Sequence, residues 1–265
     1  MGFKKLLASL GAGGASVETE LLAADVVPGG TVQGSVRVQG GSVEQRIEGL
    51  SVGLQARVEV DRTDAQGRET EYHQNIEFHR ERIGGEFVIA PGAVHDVPFT
   101  MEVPWETPVT MFMGRTLTGM RVGVTTELAI ARAVDKGDLD PVNVHPLPAQ
   151  EALLDAFGQL GFAFKSADLE KGRLHHTRQR LPFYQEIEFR PPSRYRGLSE
   201  VELTFVADGR EMDVVLEMDK KPGLFSAGSD THRSFTMDLD AFEQTDWAQY
   251  LHQWLAEVGA KRNWF

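Results

Sequence analysis

The stretch RVGVTTELAIARAVDKGDLDPVNVHP, residues 121–146, decides the architecture. In its first part Val122, Val124, Thr126, Leu128 and Ile130 recur at every second position, with small or polar residues between them. A period of two sends alternate side chains to opposite faces, so this is a strand with one face buried. Ala133 and Val134 then lead into Asp135-Lys136-Gly137-Asp138-Leu139-Asp140-Pro141, a turn-rich acidic break. Val142, Val144, His145 and Pro146 read as extended again. The pattern predicts a hinge at 135–148 between two β-rich parts, 1–134 and 149–265.

Upstream of that stretch, period-two runs at 17–22, 31–38, 48–60, 69–78, 86–89 and 97–103 are separated by Gly, Pro, Asp or Gln-Gly turns. Short strands at this spacing imply an antiparallel sandwich. Ahead of them Phe3, Leu6, Leu7 and Leu10 fall on one face of a short helix beside Lys4 and Lys5. Two lysines on one short helix bind lipid weakly, so capping a sandwich edge is favoured over contact with a membrane. Gly49-Leu50-Ser51-Val52-Gly53 has the spacing of a nucleophile elbow, the one hint of a hydrolase. Because Val52, Leu54, Ala56 and Val58 continue the strand pattern and no helix follows, Ser51 is read as a strand residue. His73, His79 and His95 are scattered among polar positions without metal-ligand spacing.

Composition narrows the function. The 27 Lys and Arg against 39 Asp and Glu leave a net charge of −12, which repels phosphate backbones and argues against nucleic acid as a partner. The absence of cysteine excludes disulfides, thiolate catalysis and Cys-ligated zinc. No apolar run reaches the roughly 18 residues of a membrane span, and a cytoplasmic protein without a cofactor is expected.

A family resemblance rests on particular residues. The opening Phe3-Lys4-Lys5-Leu6-Leu7-Ala8-Ser9-Leu10-Gly11, the Pro98-Phe99-Thr100 segment, Ala133-Val134-Asp135 through Asp140, and Val144-His145-Pro146 together resemble the SpoOM-type sporulation-control proteins of bacteria. The resemblance implies an arrestin-like fold, two antiparallel β-sandwiches joined by a hinge. It also implies a regulator or scaffold acting through protein–protein contacts, with no catalytic residues to carry over. Asp135, Asp138 and Asp140 repel one another unless balanced, so at least one is expected to pair with an arginine or a backbone N–H of the opposite half, as the resemblance also implies, the alternative being three solvated turn formers. The same three aspartates echo a calcium loop, which keeps a cation-responsive binding module as an alternative, although the flanking helices and distal Glu of such a loop are absent.

The C-terminal part continues the β pattern. Leu153, Leu154, Phe157 and Leu160 repeat at helical spacing after Pro148. Residues 172–180 form a basic loop with His175 and His176 adjacent. In 183–189 Phe183, Gln185, Ile187 and Phe189 share one face, and Tyr184, Glu186 and Glu188 the other. Residues 200–206 and 211–218 form a hairpin about Asp208-Gly209. Its outer face carries Glu200, Glu202, Glu211, Asp213 and Glu217, a carboxylate stripe offered as a candidate partner surface. A closing helix sets Trp247, Tyr250, Leu251, Trp254, Leu255 and Val258 on one stripe. That stripe suits packing on the second sandwich, with Trp247, Tyr250 and Trp254 the alternative contact for a partner or for a second copy in a homodimer.

Overall fold

The computed structural model describes residues 14–63, 69–131, 136–195, 197–220 and 230–260. Strand accounts for 57% of the described residues and helix for 12%, an all-β fold, as the period-two runs predict. In chain order the elements begin with β1 (Ser16–Leu21), β2 (Asp25–Val26), β3 (Thr31–Gln39), β4 (Gln45–Thr63), β5 (Glu69–Gly84), β6 (Phe87–Ile89) and β7 (Val94–Glu102). There follow β8 (Met111–Phe112), β9 (Arg115–Thr116), β10 (Val122–Ile130), β11 (Lys136–Pro141), β12 (Asn143–Val144) and α1 (Pro148–Gln159). Last come β13 (Ala163–Lys171), β14 (Phe183–Arg190), β15 (Leu198–Ala207), β16 (Glu211–Lys220), β17 (Asp230–Asp238) and α2 (Trp247–Ala260). The apolar face expected at Phe3, Leu6, Leu7 and Leu10 lies outside the described residues.

Two compact units result, each discontinuous in sequence. The first takes residues 1–56, 75–104 and 121–143, the second 57–74, 105–120 and 144–265. The chain thus passes between them inside β4 and again inside β5, where the sequence suggests a single crossing at 135–148. β4 is 19 residues long, well beyond the usual five or six, and its period-two run from Leu50 to Val60 passes the crossing after Ala56 without a mark of where one core gives way to another.

In the first unit the antiparallel sheet β1-β3-β7 packs against strands β11, β10 and β4, with β5 and β6 also paired to β4. Val17, Val36, Leu50, Leu54, Val124 and Leu128 fill the space between them. Thr19 and Thr126 join the two layers by a buried 2.6 Å hydroxyl hydrogen bond. Ser51 sits within β4 opposite Glu127, away from any strand-to-helix turn, which removes the elbow reading. His79 pairs with Glu81 at 2.9 Å and His95 stacks on Phe87 at 5.5 Å, so these histidines do not converge.

The acidic break is a strand. Residues 136–141 form β11, antiparallel to β10 with Val124 opposite Asp140 and Thr126 opposite Asp138. Asp138 Oδ2 accepts the Thr19 N–H at 3.2 Å and its Oδ1 accepts the Leu139 N–H at 2.9 Å. Thr19 belongs to the same unit, so this contact is not the clamp to the opposite half that the sequence suggests. Asp140 is half-buried, and burial, with Asp138 and Glu18 nearby, pushes its carboxyl up to about 6. Asp135 lies outside the described residues. Asp and Gly are poor strand formers, and only the β10 edge, invisible in the local sequence, supplies the ladder that overrides them.

In the second unit β13 to β17 form a consecutive antiparallel sheet, and Glu170 of β13 also lies opposite Glu59 of β4. Phe183, Ile187, Phe189, Val201, Leu203, Met212, Val214 and Leu216 line its buried face, as the alternation predicts. α1 covers that face, with Phe157 stacked on Phe189 at 4.7 Å. Gln185 is buried there too, accepting the Val109 N–H at 3.0 Å and donating to the Val109 carbonyl at 2.7 Å, so it ties the 105–120 segment to β14. Trp247, Tyr250 and Trp254 of α2 surround Phe235 of β17 at 5.1 to 5.6 Å, half-buried in the packing role.

The β15–β16 turn forms, shifted by one residue. Gly209 alone takes a left-handed φ, +95°, while Asp208 accepts the N–H groups of Arg210 and Glu211 through Oδ1. A Cβ on Gly209 would lie 2.7 Å from the Trp105 indole, so both the backbone angle and the space require glycine. Below the turn Arg178 binds Asp208 at 2.8 Å, Glu211 at 3.0 Å and Asp213 at 3.0 Å. Asp213 is only 6% exposed and also accepts the Arg178 N–H and the Thr236 hydroxyl. Replacing Arg178 by Ala strands a buried carboxylate, which costs about 3 kcal/mol. Denaturant unfolding of Arg178→Ala should read that loss, while Arg115→Ala at an exposed position should be within about 0.5 kcal/mol of the parent.

Candidate functional site

The outer face of the second unit's sheet carries two clusters of carboxylates among the described residues. Alternation places them there. Once Phe183, Gln185, Ile187 and Phe189 turn inward, Tyr184, Glu186 and Glu188 must turn outward. The register then sets like charges opposite one another: Asp168 faces Glu186, Glu188 faces Glu202, and Glu202 faces Glu217. Glu170 lies between Glu59 on one side and Tyr184 on the other.

Glu186 is the shared member of two triads. One oxygen each from Asp168, Glu170 and Glu186 lie within 4.8 Å of one another, and so do oxygens of Glu186, Glu202 and Glu217. Every one of these carboxylates is half-buried. Opposed like charges are unfavourable unless something neutralises them, and partial burial deepens the cost. Burial, then the charges of Glu202 and Asp168, pushes Glu186 up to about 9. Burial and Glu59 push Glu170 up to about 7, and burial with Glu188 raises Asp168 to about 7. Asp168 Oδ1 is buried without a hydrogen-bond partner among the described residues. Glu188 moves the other way: burial would raise it, but its bonds to Glu200, Lys165 and Ser166 prevail and hold it low.

The row can therefore do three things chemically: store protons, meet cationic side chains, or supply oxygen ligands. Oxygens up to 4.8 Å apart span roughly twice a Ca–O distance of about 2.4 Å, so either triad has the donor type and spacing of a hard divalent cation.

Of the stripe expected on the hairpin, only Glu202 and Glu217 belong to this row. Glu200 is held by Lys165 at 2.6 Å, and Glu211 and Asp213 are bound by Arg178. Asp213 in particular is covered rather than offered to a partner, because the 172–182 loop lies over that end of the hairpin. Among the described residues Asp138 and Asp140 do not join a carboxylate triad, and Asp135, the third aspartate of that spacing, lies outside them. Glu59, Asp168, Glu170, Glu186 and Glu188 emerge only from the structure. The outward position of Glu186 and Glu188 is legible in the alternation of 183–189, but nothing local says which carboxylates of other strands stand beside them.

The stored protons give a pH dependence. An acid raised on folding binds a proton in the native state that the unfolded chain has already released, so its contribution is full below about pH 4.5 and lost as pH rises through the native value. Between about pH 5 and 9 the thermal midpoint should fall, by on the order of 5 °C beyond any general drift. Glu186→Gln cannot ionise, and scanning calorimetry should find its midpoint flatter over that range and higher than the parent's at the alkaline end.

Comparison with known proteins agrees with the fold. The profile of the SpoOM protein family matches residues 3–222. The sporulation-control protein Spo0M of Bacillus subtilis (strain 168) is 37% identical over 221 residues, covering 83% of this chain and 81% of that protein. The crystal structure of Spo0M from Bacillus subtilis superposes with a TM-score of 0.74 at 30% identity, covering 92% of this chain and 99% of that one. An all-β chain with sandwich-like sheets, matched over most of its length in sequence and in structure, belongs to the SpoOM family of sporulation-control proteins.

Proposed function

We propose that the protein is a non-catalytic regulator that works by binding a protein partner, and that the carboxylate row around Glu186 is the contact surface for a Lys- or Arg-bearing segment of that partner. One observation carries the reading: carboxylates opposed across four strands, half-buried, with Lys165 and Arg178 already engaged at the margins. Such a row is stabilised by arriving cations, and electrostatic complementarity of this kind confers specificity and fast association. The family supports a regulatory role, and the serine and histidines that hinted at catalysis are dispersed.

Binding of a cationic segment favours the ionised carboxylates, so it releases protons and must tighten as pH rises. The test compares capture of partners from lysate of the native host by the full chain and by the Glu186→Gln/Glu202→Gln/Glu217→Gln variant. A specific partner should bind the parent on the order of tenfold better than the variant, more tightly at about pH 8 than at about pH 6, and more weakly as salt rises. Equal recovery on both proteins would remove the row from partner binding. If calcium or magnesium alone raises the thermal midpoint of the parent and not of the variant, the row serves a cation instead.

A further inference from the structure

A second charged surface, opposite in sign, lies on the 172–182 loop of the same unit. Arg173, His175, His176 and Arg180 are all exposed on it, in a chain whose net charge is −12. The loop is held in one shape from within. Gln179 is buried and donates through Nε2 to the carbonyls of Gly172, Leu181 and Phe183 at 2.9 to 3.1 Å, while its Oε1 accepts the Leu174 N–H at 2.7 Å. Glu106 accepts the N–H groups of Arg180 and Leu181 at 2.9 and 3.1 Å, and Asp213 accepts that of Arg178 at 2.8 Å. His176 takes a left-handed φ of +60°, uncommon outside glycine, and the bonds around it maintain that angle.

The carboxylates bonded to this loop are already engaged. Glu106 is committed to backbone N–H groups, and Asp208, Glu211 and Asp213 to Arg178. The exposed guanidinium groups of Arg180 and of Arg173, whose Nη1 also donates to the Gln179 carbonyl at 3.4 Å, therefore stand as a local positive field on a negative molecule, carried by a backbone that need not be ordered on binding. From this we infer that the 172–180 loop is a docking surface for an Asp- and Glu-rich segment of a protein partner, distinct from the carboxylate row and independent of its role.

The probe is a fluorescein-labelled peptide of alternating Asp and Glu, followed by anisotropy with the full chain. The parent should bind it in a salt-dependent manner, and Arg173→Glu/Arg180→Glu should weaken binding on the order of tenfold or more. Arg115→Glu, half that charge change placed at another exposed site of the unit, should leave it within about twofold. Glu106→Gln separates shape from bulk charge. It makes the protein less negative, which by itself favours an acidic peptide, yet by loosening the loop it should weaken binding roughly threefold. Several results overturn the inference: no binding to the parent at low salt, equal losses for the Arg115 and the loop variants, or tighter binding by Glu106→Gln. Displacement of the peptide by millimolar inorganic phosphate would mark a small-anion site instead. Salt-sensitive self-association in the ultracentrifuge that the loop variant abolishes would assign the loop to a second copy. The Glu186 variants leave this surface untouched, so failure here and failure of the carboxylate row are read separately.

Discussion

Strand alternation, combined with the pairing register of β13 to β16, is the constraint on which the second unit depends. A strand cannot choose its two faces independently: turning Phe183, Ile187 and Phe189 toward α1 commits Tyr184, Glu186 and Glu188 to the other side. Each neighbour is bound by the same rule, and a slip of one residue would expose Leu203 or Leu216. Burial therefore selects the register, and the register in turn opposes Asp168 to Glu186 and Glu202 to Glu217. The electrostatic strain of the carboxylate row is a consequence of apolar packing on the reverse face. That the sheet tolerates it is understandable, since the buried face contributes far more than partial neutralisation by bound protons costs.

Polar hubs do different work in the two units. In the second, Arg178, Gln179 and Glu106 fix a loop that has no regular structure of its own, each satisfying several backbone or carboxylate groups at once. A buried amide such as Gln179 is tolerated because its donors and its acceptor are all used. In the first unit, Asp138 takes a comparable place by accepting the Thr19 N–H of β1, and the hydroxyl pair Thr19–Thr126 lies beside it. These contacts specify how strands and loops meet, where apolar packing alone would accept neighbouring arrangements.

The two surfaces proposed as partner contacts lie within one unit of this SpoOM-family chain and differ in how they carry charge. The carboxylate row is half-buried and responsive to protons, so its charge depends on its surroundings. The basic loop presents exposed arginines on a backbone held by Gln179, Glu106 and Asp213. As proposed, the two surfaces select segments of opposite charge, because a ligand that suits one is repelled by the other.

The sequence alone determined the all-β class, most of the longer strands, the helices α1 and α2, the hairpin at 200–218 and the family. Those features are written in local periodicity and in turn residues, which act over a few positions. It also settled that Phe183 and Gln185 face one way and Glu186 the other. What only the tertiary structure decided were contacts between residues far apart in the chain. β11 became a strand because β10 offered it a ladder; β4 and β5 were shared between units because a long strand can serve two cores; Asp213 was covered because Arg178 arrives from a loop 35 residues away. The carboxylate row belongs to the same class, since Asp168, Glu186, Glu202 and Glu217 come from four strands. Each is an ordinary outward acid in its own segment, and hydrogen-bond register, which no single strand encodes, is the physical quantity that brings them within a few ångströms.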